Sequence, residues 1–201
     1  MKSKSPSNKA VTIWHDISDD WQKLFTEGRR LDCSPSAHYI ALYPTICATS
    51  ASLMTVFGAK SVPMVAHLAY GWMPTILKYN HKLRCEERIF EMAQSNDGSA
   101  VRRCLAQIDK SPINNSWVGL SKTLHFMNPE VFPIWDSKIA RLFGVTNISN
   151  KNAYCNYIRF IHDHKNDSFI DEAIENCEDW PNYHISRVRT FELLLFTIAN
   201  A

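Results

Sequence analysis

Hydrophobic positions recur along this chain at helical spacing. Ile13, Ile17, Trp21, Leu24 and Phe25 fall at i, i+4, i+8, i+11 and i+12, one face of a helix over 11–27 that Gly28 stops. Residues 37–58 are rich in Ala, Leu, Ile and Met around Pro44. That pattern predicts a short helix or turn before the proline, then a buried helix over 45–57 closed by Gly58. Pro63 suits the start of a helix reaching Tyr70, which Gly71-Trp72-Met73-Pro74 breaks or kinks. Helices over 81–94 and 99–109 follow, with Asn96-Asp97-Gly98 as the turn and Ser99 as a cap. Asn115 or Ser116 caps a helix that runs to Met127 and ends at Asn128-Pro129. An apolar connector over 130–135 leads to Asp136, which opens a helix to Phe143. Asn150 caps a helix with Tyr154, Tyr157, Ile158 and Ile161 on one face, and a shorter helix spans 168–177. The last runs over 184–199 with Val188, Phe191, Leu195 and Ile198 inward. No segment alternates with the period of a strand, and no repeat is present. These elements predict an all-α fold of about ten helices in two lobes, with a hairpin-like helix pair at the cleft.

Composition narrows the class without naming a function. With 201 residues, 45% hydrophobic and 21% charged, the chain can bury a full core. Residues 1–9 read as a flexible tail and 10–201 as one helical domain of two lobes. Only 6 glycines argue against an all-β protein of this length. The net charge of +2 permits nucleic-acid binding without demanding it. The cysteines at 33, 47, 85, 104, 155 and 177 form no C-x-x-C spacing, so no zinc or iron–sulfur site is expected, and no other cofactor. Residues 1–10 lack the apolar stretch of a signal peptide, and the apolar run over 191–199 is too short to span a bilayer. A cytoplasmic monomer with reduced thiols and no membrane association is the expectation.

The informative stretch is 117–144, WVGLSKTLHFMNPEVFPIWDSKIARLFG. A helix with Lys122 near its start is followed by a proline-punctuated connector, and Asp136 then heads the next helix. The two helices are expected to form a hairpin with Lys122 and Asp136 facing a common cleft. The run from Phe132 to Gly144 resembles the helix-hairpin-helix DNA glycosylase superfamily. There an aliphatic-Pro-x-Asp turn opens a helix of the form D-[ST]-x-[aliphatic]-x-R-[aliphatic]-x-G. The family's hairpin usually reads Leu-Pro-Gly-Val-Gly; here Gly119 stands alone and Lys122 follows it by three residues.

The resemblance implies an enzyme that excises a damaged or modified base from double-stranded DNA. The base could be a hypermodified phage base, as for antiviral bacterial glycosylases. By that resemblance Asp136 is the catalytic carboxylate and Lys122 the candidate nucleophile. The chemistry suits both residue types. A fixed carboxylate stabilises the oxocarbenium character that develops at the sugar. A buried lysine with a lowered pKa can attack the anomeric carbon and form a Schiff base. A flipped base needs an aromatic pocket, for which Tyr70, Trp72, Trp117 and Trp135 are candidates against their ordinary use as core. His125, near Lys122 on the same helix, is a further substrate contact. Gly119, Ser121, Lys138 and Arg141 are candidates for the DNA backbone; Arg102, Arg103 and Lys110 read as scattered surface charge rather than as its extension. His162-Asp163-His164 sits on diverging helix faces and reads as a solvated turn, not a metal site. The competing reading is a helical DNA-binding or protein-interaction module that keeps the hairpin without the chemistry, its cue being the reduced hairpin.

Overall fold

The computed structural model describes residues 31–34, 37–71 and 75–200. The expected tail over 1–9 and helix over 11–27 lie outside the described residues. The described chain is mostly helical, as the periodicity predicts. Its helices are α1 (Ala37–Phe57), α2 (Ser61–Gly71), α3 (Glu86–Ala93), α4 (Gly98–Ala106), α5 (Trp117–Met127), α6 (Ser137–Leu142), α7 (Lys151–His164), α8 (Phe169–Glu175) and α9 (Arg187–Ile198). Two of these, α6 and α8, have fewer than eight residues, so the described helices fall short of the ten expected. A two-residue parallel pairing joins β1 (Leu31–Asp32) to β2 (Cys177–Glu178), with Leu31 opposite Cys177. Strands that short leave no alternation in the sequence, which is why none is anticipated.

The largest departure from expectation is α1. The helix runs straight through Pro44 instead of stopping there. A proline cannot donate to the carbonyl four residues before it, which orphans the oxygen of Ile40. The Tyr183 hydroxyl donates to that oxygen at 2.7 Å, so the helix continues. Nor is α1 buried: Leu42, Val56 and Phe57 are 54%, 71% and 43% exposed. A 3-10 turn at Gly58–Lys60, with Gly58 at φ +54°, links α1 to α2. Within the helical stretch Tyr39–Gly71 the most apolar window of 18 residues has a mean hydropathy of 1.5, and 17% of it is buried. By length and composition it is long and apolar enough to cross a membrane, which the short run over 191–199 is not.

The core is built around α5, which packs against α2, α1 and α3. Leu120 and Leu124 are fully buried, and Trp117, Phe126 and Met127 nearly so. Gly119 belongs to this packing. A Cβ there would stand 2.4 Å from Tyr70 Oη and 2.7 Å from Ile113 Cγ2, so only glycine admits both neighbours. On the other side α9 packs against α6, α7, α8 and β1. Val188, Phe191, Leu195 and Ile198 face inward as their spacing predicts.

Candidate functional site

Two caps set the frame. Asp136 is the N-cap of α6, its Oδ1 accepting from the backbone N–H groups of Lys138 and Ile139, both at 2.9 Å. Asn150 caps α7 in the same way. Both caps are legible in the sequence, because Asp and Asn satisfy the open amides of a helix start. The two cap bonds of Asp136 use one oxygen and leave Oδ2 uncommitted by the cap.

The connector between α5 and α6 is fixed carbonyl by carbonyl. Residues 131–135 are all buried, so their polar groups need partners inside the protein. The Ser186 hydroxyl donates to Pro129 O at 2.6 Å and that of Tyr154 to Pro133 O at 3.3 Å. His162 Nε2 meets Val131 O at 2.8 Å, and His125 Nδ1 meets Phe132 O at 2.6 Å. The Ser121 hydroxyl accepts from Trp135 N at 3.0 Å and lies 3.3 Å from Trp135 O. That last bracket matters most for chemistry. Ser121 precedes Lys122 and Trp135 precedes Asp136, so one clamp fixes where both candidate residues start.

Lys122 and Asp136 line one cleft of about 440 Å³. Tyr39, Val118, Ile134, Ile148 and Phe196 give it apolar and aromatic walls, and Lys138, Arg189 and Glu192 complete its charged groups. Burial pulls the Lys122 amine below the usual lysine range, against the opposing pull of Asp136 and Glu192. Glu192 is buried, pairs with the equally buried Arg189, and is pushed up to about 7 by burial against the attraction of Arg189. The Arg189 guanidinium also stacks over Tyr43, 5.0 Å from the ring centroid. The site therefore combines a carboxylate on a helix cap, a lysine of depressed basicity and a carboxyl that titrates near neutrality.

Arg189 and Glu192 were not among the residues singled out from sequence. A signal exists. Glu192 is four residues after Val188 and three before Leu195, so it sits on the inward face of an otherwise apolar helix. A charge at such a position needs a partner, and Arg189, one turn earlier, supplies it.

Several anticipated contacts lie elsewhere. Tyr70, Trp117 and Trp135 are core side chains, with Trp135 Nε1 donating to Ile148 O at 3.0 Å. Trp72 falls outside the described residues. The aromatic walls come instead from Tyr39 and Phe196. His125 is fully buried between Phe132 O and the Tyr43 hydroxyl, 2.8 Å from Nε2, and burial drives its pKa down to about 3. It is a neutral strut with no surface open to substrate. Gly119 and Ser121 are likewise buried, committed to Tyr70 and to Trp135, and present no surface to a phosphate.

Lys138 lies at the cleft, bonded to Asn200 Oδ1 and 5.7 Å from the Phe196 ring centroid. Arg141 is exposed on α6, its Nε donating to Ser137 O at 3.2 Å. Arg103 turns to Asp97 at 3.8 Å, and the Arg102 side chain is outside what is described. Lys110 and Lys78 line a second, open groove of about 880 Å³ that shares Thr75 with the cleft. His162 is taken up by Val131 O and His164 by Asp167, at 2.9 Å. Among the described residues no three His, Cys, Asp or Glu side chains gather as metal ligands do. No family model, curated protein or solved structure matches the chain.

Proposed function

We propose that this protein is a DNA N-glycosylase that excises a damaged or modified base from double-stranded DNA. The observation that carries the reading is that Asp136 and Lys122 border one aromatic- and cation-lined cleft, held in place by the Ser121–Trp135 clamp. A carboxylate turned to solvent, away from any cleft, would have removed the case for chemistry.

In this reading Asp136 stabilises positive charge at the sugar as the base departs. Lys122, its basicity lowered by burial, attacks the anomeric carbon and displaces the base. Glu192, titrating near 7, takes the proton that the lysine nitrogen sheds, and Arg189 holds that carboxyl in place. Tyr39 and Phe196 flank the extruded base, and Lys138 with the exposed Arg141 faces phosphate. The same reading carries the two-lobe arrangement with the hairpin pair at the cleft. It also makes the protein a cytoplasmic monomer that needs no metal or cofactor.

The test is incubation with duplexes that each carry one modified base, followed by alkali to cleave abasic sites. Excision of one of them supports the reading. Tight duplex binding with no excision across the panel would instead leave a non-catalytic DNA-binding module. Borohydride added to the active reaction should trap a covalent protein–DNA adduct, and Lys122→Ala should lose it. Excision with no adduct in either protein would make water the attacking group and leave Lys122 to position phosphate.

A further inference from the structure

Cys33 and Cys177 lie outside the cleft and serve no step of the proposed chemistry. Cys33 follows β1 and is buried, while Cys177 opens β2 and is partly exposed. The strand pairing brings them together, with Cys33 N donating to Glu178 O at 3.1 Å. Their Sγ atoms stand 3.2 Å apart, and Cys33 Sγ also lies 3.5 Å from Thr197 Oγ1 on α9. The two residues are 144 positions apart in the chain, so the fold and not local sequence creates the pair. A disulfide needs the sulfurs to close to about 2.0 Å.

We propose that Cys33 and Cys177 are a redox-active dithiol that closes to an intramolecular disulfide when a small-molecule disulfide such as oxidised glutathione is the oxidant. The pair is electronically suited to exchange. The hydrogen bond from Cys177 holds the Cys33 thiol down at about 7 against burial, while Cys177 is pushed up, so the first proton leaves Cys33 and the second rests on Cys177, hydrogen-bonded to the Cys33 thiolate. The partly exposed Cys177 is the sulfur an oxidant can reach. Transfer of the Cys177 proton across the 3.2 Å contact to Cys33 frees a minor Cys177 thiolate, which attacks one glutathione sulfur; the glutathione S–S bond breaks, and one glutathione thiolate leaves. Cys33 then loses its proton and attacks the Cys177 sulfur. The mixed disulfide breaks and the second glutathione departs. Two protein thiols are oxidised and one glutathione disulfide is reduced to two thiols. The new bond ties the segment leaving β1 to β2, beside the helix that carries Arg189 and Glu192.

The experiment uses the full chain, reduced, then equilibrated in glutathione buffers of increasing oxidised fraction. Acid quenching, alkylation and peptide mapping read the outcome. The expected result is loss of two alkylatable thiols and a Cys33–Cys177 cross-linked peptide that returns to free thiols in reducing buffer. Cys177→Ser, at the more exposed position, should fold and lose that peptide entirely, as should Cys33→Ser. Overturning results are full alkylation of both cysteines at the most oxidising ratio, a glutathione adduct on Cys177 that never resolves, or Cys33 cross-linked to another cysteine.

Discussion

The α5–α6 connector and helix α1 are both apolar stretches containing proline, and the protein treats them in opposite ways. In the connector every residue from 131 to 135 is buried, and the carbonyls of Pro129, Val131, Phe132, Pro133 and Trp135 each meet a side chain from another part of the chain. In α1 the backbone satisfies itself apart from the Ile40 carbonyl, which Tyr183 takes, and Thr49, Ser52 and Thr55 turn their hydroxyls back onto carbonyls one turn earlier. Much of its apolar surface is left exposed. An irregular segment cannot pair its own backbone, so it is over-determined by tertiary bonds; a helix carries its pairing with it and can remain on the surface. The candidate site is built on the first kind of segment, where geometry is fixed most tightly.

The comparison is sharpest for two phenylalanines. Phe132 is fully buried in the connector and Phe57 is 43% exposed at the end of α1. Phe132→Ala should destabilise by about 3–5 kcal/mol through lost burial and a cavity. Phe57→Ala should cost less than about 1 kcal/mol. Urea unfolding of both variants checks this, and equal losses would erase the distinction between the regions.

A smaller effect follows from His125, the strut under Phe132. Its folded pKa of about 3 lies below the usual 6.5, so the native state favours the neutral ring. Its contribution is intact above pH 6.5 and drains away as pH falls toward 3. Glu192 has the opposite sign: raised from 4.5 to about 7, it lowers stability as pH climbs through that interval. The two slopes oppose each other between pH 4.5 and 6.5, and below 4.5 the His125 effect stands without that offset. It should remove about 2 kcal/mol between pH 4.5 and 3. Unfolding free energies across that range should fall less steeply in His125→Gln; identical slopes would remove His125 from the account.

Smaller again is the hydroxyl pair Ser121 and Thr49. Ser121→Ala strips the clamp from Trp135 and should cost about 1–2 kcal/mol, with a loss of excision out of proportion to stability. Thr49→Ala removes only a bond within its own helix and should stay within about 0.5 kcal/mol. Parallel losses of excision in both would mean the clamp does not position the site.

The sequence is legible where local physics decides. Asn150 and Asp136 cap the helices they were expected to cap, and the inward spacing of α9 holds. It is illegible where a distant partner decides. Pro44 fails to end α1 because Tyr183, far along the chain, takes the Ile40 carbonyl. The apolar run after Pro44 is exposed because apolar composition states a preference for burial and not its location. Lys122 and Asp136, fourteen residues apart, line one cleft. Trp117 and Trp135, prominent in sequence, went to the core; the inward charges Arg189 and Glu192 are visible on α9, but only packing reveals that α9 meets α6 and brings them to the site.

The central claim rests on Asp136, and Asp136→Asn tests it most directly. Asn caps a helix about as well as Asp, so folding and duplex binding should persist. Single-turnover excision of whichever modified base the wild type removes should then fall by about two to three orders of magnitude, the scale of removing one electrostatic stabiliser. A folded Asp136→Asn protein that excises at a near-normal rate would contradict the account.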